Sequence, residues 1–186
     1  MKCFTLVALA AATIPAAAFA QDSAPDGSRP FGLEPYIGVL GGFHSFDRDS
    51  EFGTAGTHGK MGGALIEGVG GVNLPLGPMF VGVEGNVAKG FKDISWEYGV
   101  SGRVGARAGD SGLIYVSAGY QWVKGKTSRG YPDRSAMMYG VGLEVGPKDI
   151  GLGGLFGSSA GPRLRLEAKT YDFDSIRPMA GVVFHF

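Results

Sequence analysis

Gly157, Ser159 and Gly161 stand in the spacing G-x-S-x-G, which mounts a nucleophilic serine on a strand-to-helix elbow when a histidine and an acid complete the set. Here the pattern lies in a Gly-rich stretch, and only His185 follows it, so nucleophilic catalysis is not expected there. Residues 151–157 fail as G-x-G-x-x-G because Phe156 occupies the third glycine position. His44, His58 and His185 share no metal-ligand spacing and are each read as a surface or rim residue. No enzyme, cofactor or metal site is therefore expected. A larger charged set remains: Glu67, Glu84, Glu97, Glu144 and Glu167, with Arg103, Arg107, Arg163, Arg165 and Lys169. Such a set can form an ion pathway or a structural ion-pair network. The elements that carry it decide between the two.

Those elements read as strands. Over 96–108, Trp96, Tyr98, Val100, Val104 and Ala106 share one face, while Glu97, Ser101, Arg103 and Arg107 share the other. One face is apolar and one charged, at the period of two that marks a strand. The same alternation recurs over 64–73, 79–87, 113–123, 137–145, 163–171 and 178–186. Residues 35–46 are apolar on both faces, so their orientation stays open. Loops are predicted at 47–60, 88–95, 124–136 and 172–177, and turns at 74–78, 109–112 and 146–162. The last of these is long for a turn. The fold class is all-β: an antiparallel up-and-down β-barrel of about eight strands, each long enough to cross a membrane at a tilt.

Alternation alone does not separate a membrane barrel from a soluble lipocalin-like binder, which carries the same pattern turned inside out. Four features favour the membrane. The charged face balances five acids against five bases, as a narrow interior requires. On the apolar face, lysine appears only near strand ends, at Lys60, Lys89 and Lys124, where it can reach the interface. Phe91, Trp96, Tyr98, Tyr120, Trp122 and Tyr139 gather near strand ends like an interfacial girdle. The last strand places Ala180, Val182, Phe184 and Phe186 on one face. An eight-stranded interior is only wide enough for side chains, so the charged set is expected to be structural rather than a wide pore.

The first twenty residues differ from the rest. Lys2 precedes an apolar run over 4–12, and Ala18 and Ala20 supply small residues before a polar stretch, the pattern of a cleaved signal peptide at 1–20. An uncleaved anchor is the alternative, but the run is short for a spanning helix. Cys3 leaves with the peptide, so no disulfide is expected. Residues 21–32 read as a flexible periplasmic leader, and 33–186 as the barrel. Without Lys2, the 17 basic residues become 16 against 17 acidic, a net charge of −1 that argues against nucleic acid. Glycine, at 34 residues, has no collagen-like period and lies within the strands, where it marks close backbone approach.

Together, Tyr36-Ile37-Gly38-Val39, residues 113–120, residues 164–171 and Gly181-Val182-Val183-Phe184-His185-Phe186 resemble the small outer-membrane β-barrel family of the OmpA transmembrane domain, OmpX and the opacity-type surface proteins. The resemblance covers about residues 33–186 and implies residence in the cell outer membrane. It also implies that Ala180, Val182, Phe184 and Phe186 form the signal read by the barrel-assembly machinery. Outer-membrane lipids and lipopolysaccharide are the expected partners, and a monomer the expected state. Lys124, Lys126, Arg129 and Arg134 form a basic loop suited to lipopolysaccharide phosphates. The expected function is a structural or surface barrel with an ion-paired interior and extracellular loops for recognition. The alternatives are a narrow-channel porin and a lipid A-modifying enzyme of the kind some such barrels are. For the enzyme, His44-Ser45 with Glu67 is the only local candidate, and its His-x-Ser spacing is missing.

Overall fold

The computed structural model describes residues 32–47, 60–109, 112–146 and 162–186. The expected signal peptide, most of the leader, His58 and the G-x-S-x-G stretch lie outside the described residues. From Glu34 onward the described residues form eight strands: β1 (Glu34–Phe46), β2 (Gly62–Leu76), β3 (Met79–Gly90), β4 (Ile94–Ala108), β5 (Gly112–Gly125), β6 (Arg134–Val145), β7 (Pro162–Tyr171) and β8 (Ser175–His185). Each pairs antiparallel with the next, and β8 pairs with β1, for example Val39 with Val182, so the barrel closes. Closure leaves no strand edge, and every ladder is satisfied within the chain.

The barrel has two unlike ends. At the end holding Glu34 and His185, β2 joins β3 through Gly77 and Pro78, with Gly77 at φ +67. At the other, the loop end, β3–β4, β5–β6 and β7–β8 are joined by 91–93, 126–133 and 172–174. A 3-10 turn over Thr127–Arg129 lies within the second of these. The third is tight: Asp172 and Phe173 both have positive φ, as a type I′ turn requires, and the Asp174 N–H donates to the Tyr171 carbonyl at 2.8 Å.

Alternation along every strand sends large apolar side chains outward. Val39, Val83 and Val100 are 62%, 61% and 58% exposed, whereas Glu67, Glu97, Glu144, Arg165 and Arg177 are fully buried. The phase of β1, ambiguous in the sequence, is fixed by its register with β2 and β8: Tyr36, Leu40 and His44 point in, Ile37, Val39 and Phe43 out. A register shift between Ile94 and Trp96 lets Ile94 and Glu97 both face inward while Trp96 faces out. The strands extend beyond the sequence expectation, chiefly at the loop end, where 88–90, 94–95 and 175–177 belong to strands rather than loops.

Candidate functional site

The interior is where the chemistry-bearing residues meet. In the half nearer Glu34, Arg165 Nη1 pairs with Glu84 at 2.5 Å, and its Nη2 pairs with Glu144 at 2.8 Å. Arg103 reaches Glu144 at 3.1 Å and donates from Nε to the Asn73 side-chain oxygen at 3.0 Å. His185 Nε2 lies 2.7 Å from the second oxygen of Glu144, which, as a carboxylate, accepts. The Arg103 guanidinium is held between two rings, 4.2 Å from the centre of Tyr36 and 4.7 Å from that of Tyr115. Each ring lies over a glycine: a Cβ at Gly71 would run into Tyr36, and one at Gly142 into Tyr115. The two hydroxyls donate to Glu84 at 2.8 Å and to Glu167 at 2.7 Å.

Lys169 carries the network toward the loop end, pairing with Glu167 at 2.6 Å and lying 3.7 Å from Glu84 and 4.0 Å from Glu67. Glu67 also accepts from Asn86 at 2.8 Å and pairs with Arg177. Arg177 Nε lies 3.2 Å from Glu97. Glu97 in turn accepts from His44 Nδ1 at 2.6 Å and from the Tyr171 hydroxyl at 3.4 Å. All eight strands contribute to this chain of contacts. Apolar side chains are buried beside it. Phe46, Met61, Ile94, Val123, Tyr131 and Met138 belong to one buried cluster at the loop end, and Phe80, Leu113 and Tyr115 form a second at the other.

Of the ten charged residues singled out in the sequence, eight meet in the buried network: Glu67, Glu84, Glu97, Arg103, Glu144, Arg165, Glu167 and Lys169. Two do not. Arg107 pairs with Glu34 at the rim, with about a third of its side chain exposed, and Arg163 is half-buried at the same end. Both are on the inward-phase face but too near its end to be enclosed. Arg177, assigned in the sequence to a loop, is instead a fully buried member. The reading of His44 and His185 as rim residues is corrected: they are 0% and 6% exposed and bonded to Glu97 and Glu144. His44-Ser45 with Glu67 does not assemble as a unit, since the acid on His44 is Glu97.

His44 makes one further contact that the sequence does not announce. Its Nε2 lies 3.1 Å from Ser175 Oγ. With Nδ1–H donated to Glu97, Nε2 is left to accept from the serine, which is the connectivity of a nucleophile, base and acid. The surroundings argue for a structural bond. Phe46 and Tyr171 pack against the imidazole with ring centres 3.9 and 4.5 Å away, and the acid is shared with Arg177 and Tyr171. Ser175 Oγ already accepts the Tyr171 N–H at 3.2 Å. Ser175→Ala is expected to cost about 1 kcal/mol of stability, one buried hydrogen bond, and to leave ester hydrolysis at the level of the solution blank. A wild-type esterase rate abolished by the substitution would reverse this.

No family model and no curated protein sequence matches the chain. Solved structures do. Neisserial surface protein A aligns over 83% of this chain and 96% of its own, with 8% identity and a TM-score of 0.52. The attachment invasion locus protein Ail of Yersinia pestis aligns over 83% and 99%, with 17% identity and a TM-score of 0.49. The N-terminal β-barrel domain of Pseudomonas aeruginosa OprF aligns over 83% and 98%, with 14% identity and a TM-score of 0.48. Closed strand order, strand number and the match to the Neisserial protein agree, and the chain has the fold of the small eight-stranded outer-membrane β-barrels.

Proposed function

We propose that this chain is a monomeric structural and surface barrel of the outer membrane, whose interior is a plug of paired charges rather than a conduit. One observation carries the proposal: polarity is inverted relative to a water-soluble protein. Val39, Val83, Val100, Val116 and Val141 are more than half exposed on the outer face, while Glu97, Glu144, Arg165 and Arg177 are completely buried. Lipid supplies the missing partner for the first group, and the carboxylates and guanidiniums satisfy each other. The close pairing of the buried charges supports a closed interior over the narrow-channel alternative. Ala180, Val182 and Phe184 lie on the outer face of β8, with Phe186 exposed just past its end, open to the assembly machinery. Recognition would fall to the loop end.

Cell fractionation with heated and unheated gel samples tests the location. A heat-dependent mobility shift in the outer-membrane fraction is expected, and recovery of the processed chain without detergent would overturn the reading. Planar bilayers test the closed interior, where no step conductance above the lipid baseline is expected.

A further inference from the structure

The charges at the loop end are not spread evenly. From the end of β3 to the start of β6, the described rim carries Lys89, Lys92, Lys124, Lys126, Arg129 and Arg134 against Asp93 and Asp133. Around the end of β1 and the β7–β8 turn, it carries Asp47, Asp172 and Asp174 against Lys60. The structure also separates bases that the sequence groups together. Arg129 turns to the buried Asp93 at 3.2 Å, and Lys126 is half-buried with its N–H on the Asp93 carbonyl. Two lysines instead flank one tryptophan on the outer face. Lys89 is the cross-strand partner of Trp96, and Trp96 of Lys124. The Lys89 ammonium sits 4.4 Å from the Trp96 ring centre. One row nearer the membrane middle, Tyr98 and Trp122 stack with ring centres 5.6 Å apart. A surface depression beside them is lined by Trp122, Lys124, Asp133, Arg134 and Ser135.

We infer that this arc of β3–β6 is a seat for one phosphorylated glycolipid of the lipid A class, with Lys89, Lys124 and Arg134 on its phosphates, Trp96 beneath its sugar, and Tyr98 and Trp122 against its acyl chains. The inference rests on the outer-membrane placement proposed above. Lys89 and Lys124 lie two strands apart, about 10 Å at the strand spacing, which suits a headgroup bearing two separated phosphates better than a single phosphodiester. Juxtamembrane cations attract anionic lipid at about 1 kcal/mol each. Asp133 holds Lys124 at 2.6 Å and competes with the phosphate for it.

The test titrates the purified full-length barrel in detergent with diphosphorylated lipid A and counts bound lipid by native mass spectrometry. One lipid is expected per barrel. Lys89→Glu/Lys124→Glu should weaken retention about tenfold or more, Asp133→Asn should tighten it, and Lys60→Glu, outside the arc and beside Asp47, should leave it unchanged. Dephosphorylated lipid A and phosphatidylglycerol should bind weakly. Wild-type retention by the double variant, in a preparation that still shows the folded gel mobility, overturns the seat, as does equal binding of phosphate-free lipid A. Equal binding of phosphatidylglycerol overturns the glycolipid assignment. Failure of the membrane placement reads differently, as a barrel soluble without detergent.

Discussion

Arg177→Met is expected to lower the stability of the folded barrel by about 3–5 kcal/mol, the cost of removing one partner of a buried ion pair and leaving the other charged. Methionine preserves much of the side chain's length and apolar stem, so the loss is mainly electrostatic. The guanidinium is fully buried between Glu67 and Glu97. The remaining neighbours do not replace it: Glu67 keeps Asn86 and a 4.0 Å contact to Lys169, and Glu97 keeps His44 and Tyr171. Equilibrium urea unfolding in lipid vesicles, followed by tryptophan fluorescence, gives the number. The double variant Arg177→Met/Glu97→Gln should recover part of the loss, because it also removes one stranded carboxylate, and the cycle isolates their coupling. A single-variant loss below about 1 kcal/mol would mean that water reaches the pair and screens it as at a surface.

The second large effect lies on the opposite face. Val83→Arg should cost about 2–4 kcal/mol in the same vesicles, because Val83 is exposed near the middle of β3, and a cation there meets hydrocarbon. Met79→Arg, at the end of the same strand, should cost about 0–1 kcal/mol, since its charge can reach the interface. The difference between two outward positions on one strand is the measurement. In a water-facing barrel both substitutions would fall within about 0.5 kcal/mol of wild type. Equal small costs would therefore overturn the membrane-facing assignment of this belt even if the interior network stood.

The face of every strand but β1 is readable because alternation survives any tertiary detail, and the charged side of β4 and β7 emerges from it directly. Depth along the barrel was not readable. Arg107 and Arg163 have the same phase as Arg103 and Arg165, yet they emerge at the rim because the wall ends beside them. Arg177 was hidden by its neighbour: Pro178 suggests a strand start, but it sits on the outer face and the strand runs back to Ser175. That extension is allowed because the β7–β8 connection is a tight turn of residues 172–174. His44 had no phase to read, since β1 is apolar on both faces, and only pairing with β2 and β8 turns it inward. His185 does have one: it alternates with the outward Phe184 and Phe186, and so faces the interior. The bond from His44 to Ser175 spans 131 positions, a separation that no local pattern encodes.

The distribution of the lumen charges along the chain bears on how such a cylinder can be made. The first four strands bring Glu67, Glu84 and Glu97 with Arg103, while the last four bring Glu144 and Glu167 with Arg165, Lys169 and Arg177. A half-built sheet is thus an anion awaiting a cationic complement, and the final counter-ion, Arg177, arrives on the last strand. Entry of hairpins one at a time into hydrocarbon would strand acids without neutralisation. Closing the seam between β8 and β1 is the step that brings Arg177, the last of the lumen's cations, to Glu67 and Glu97.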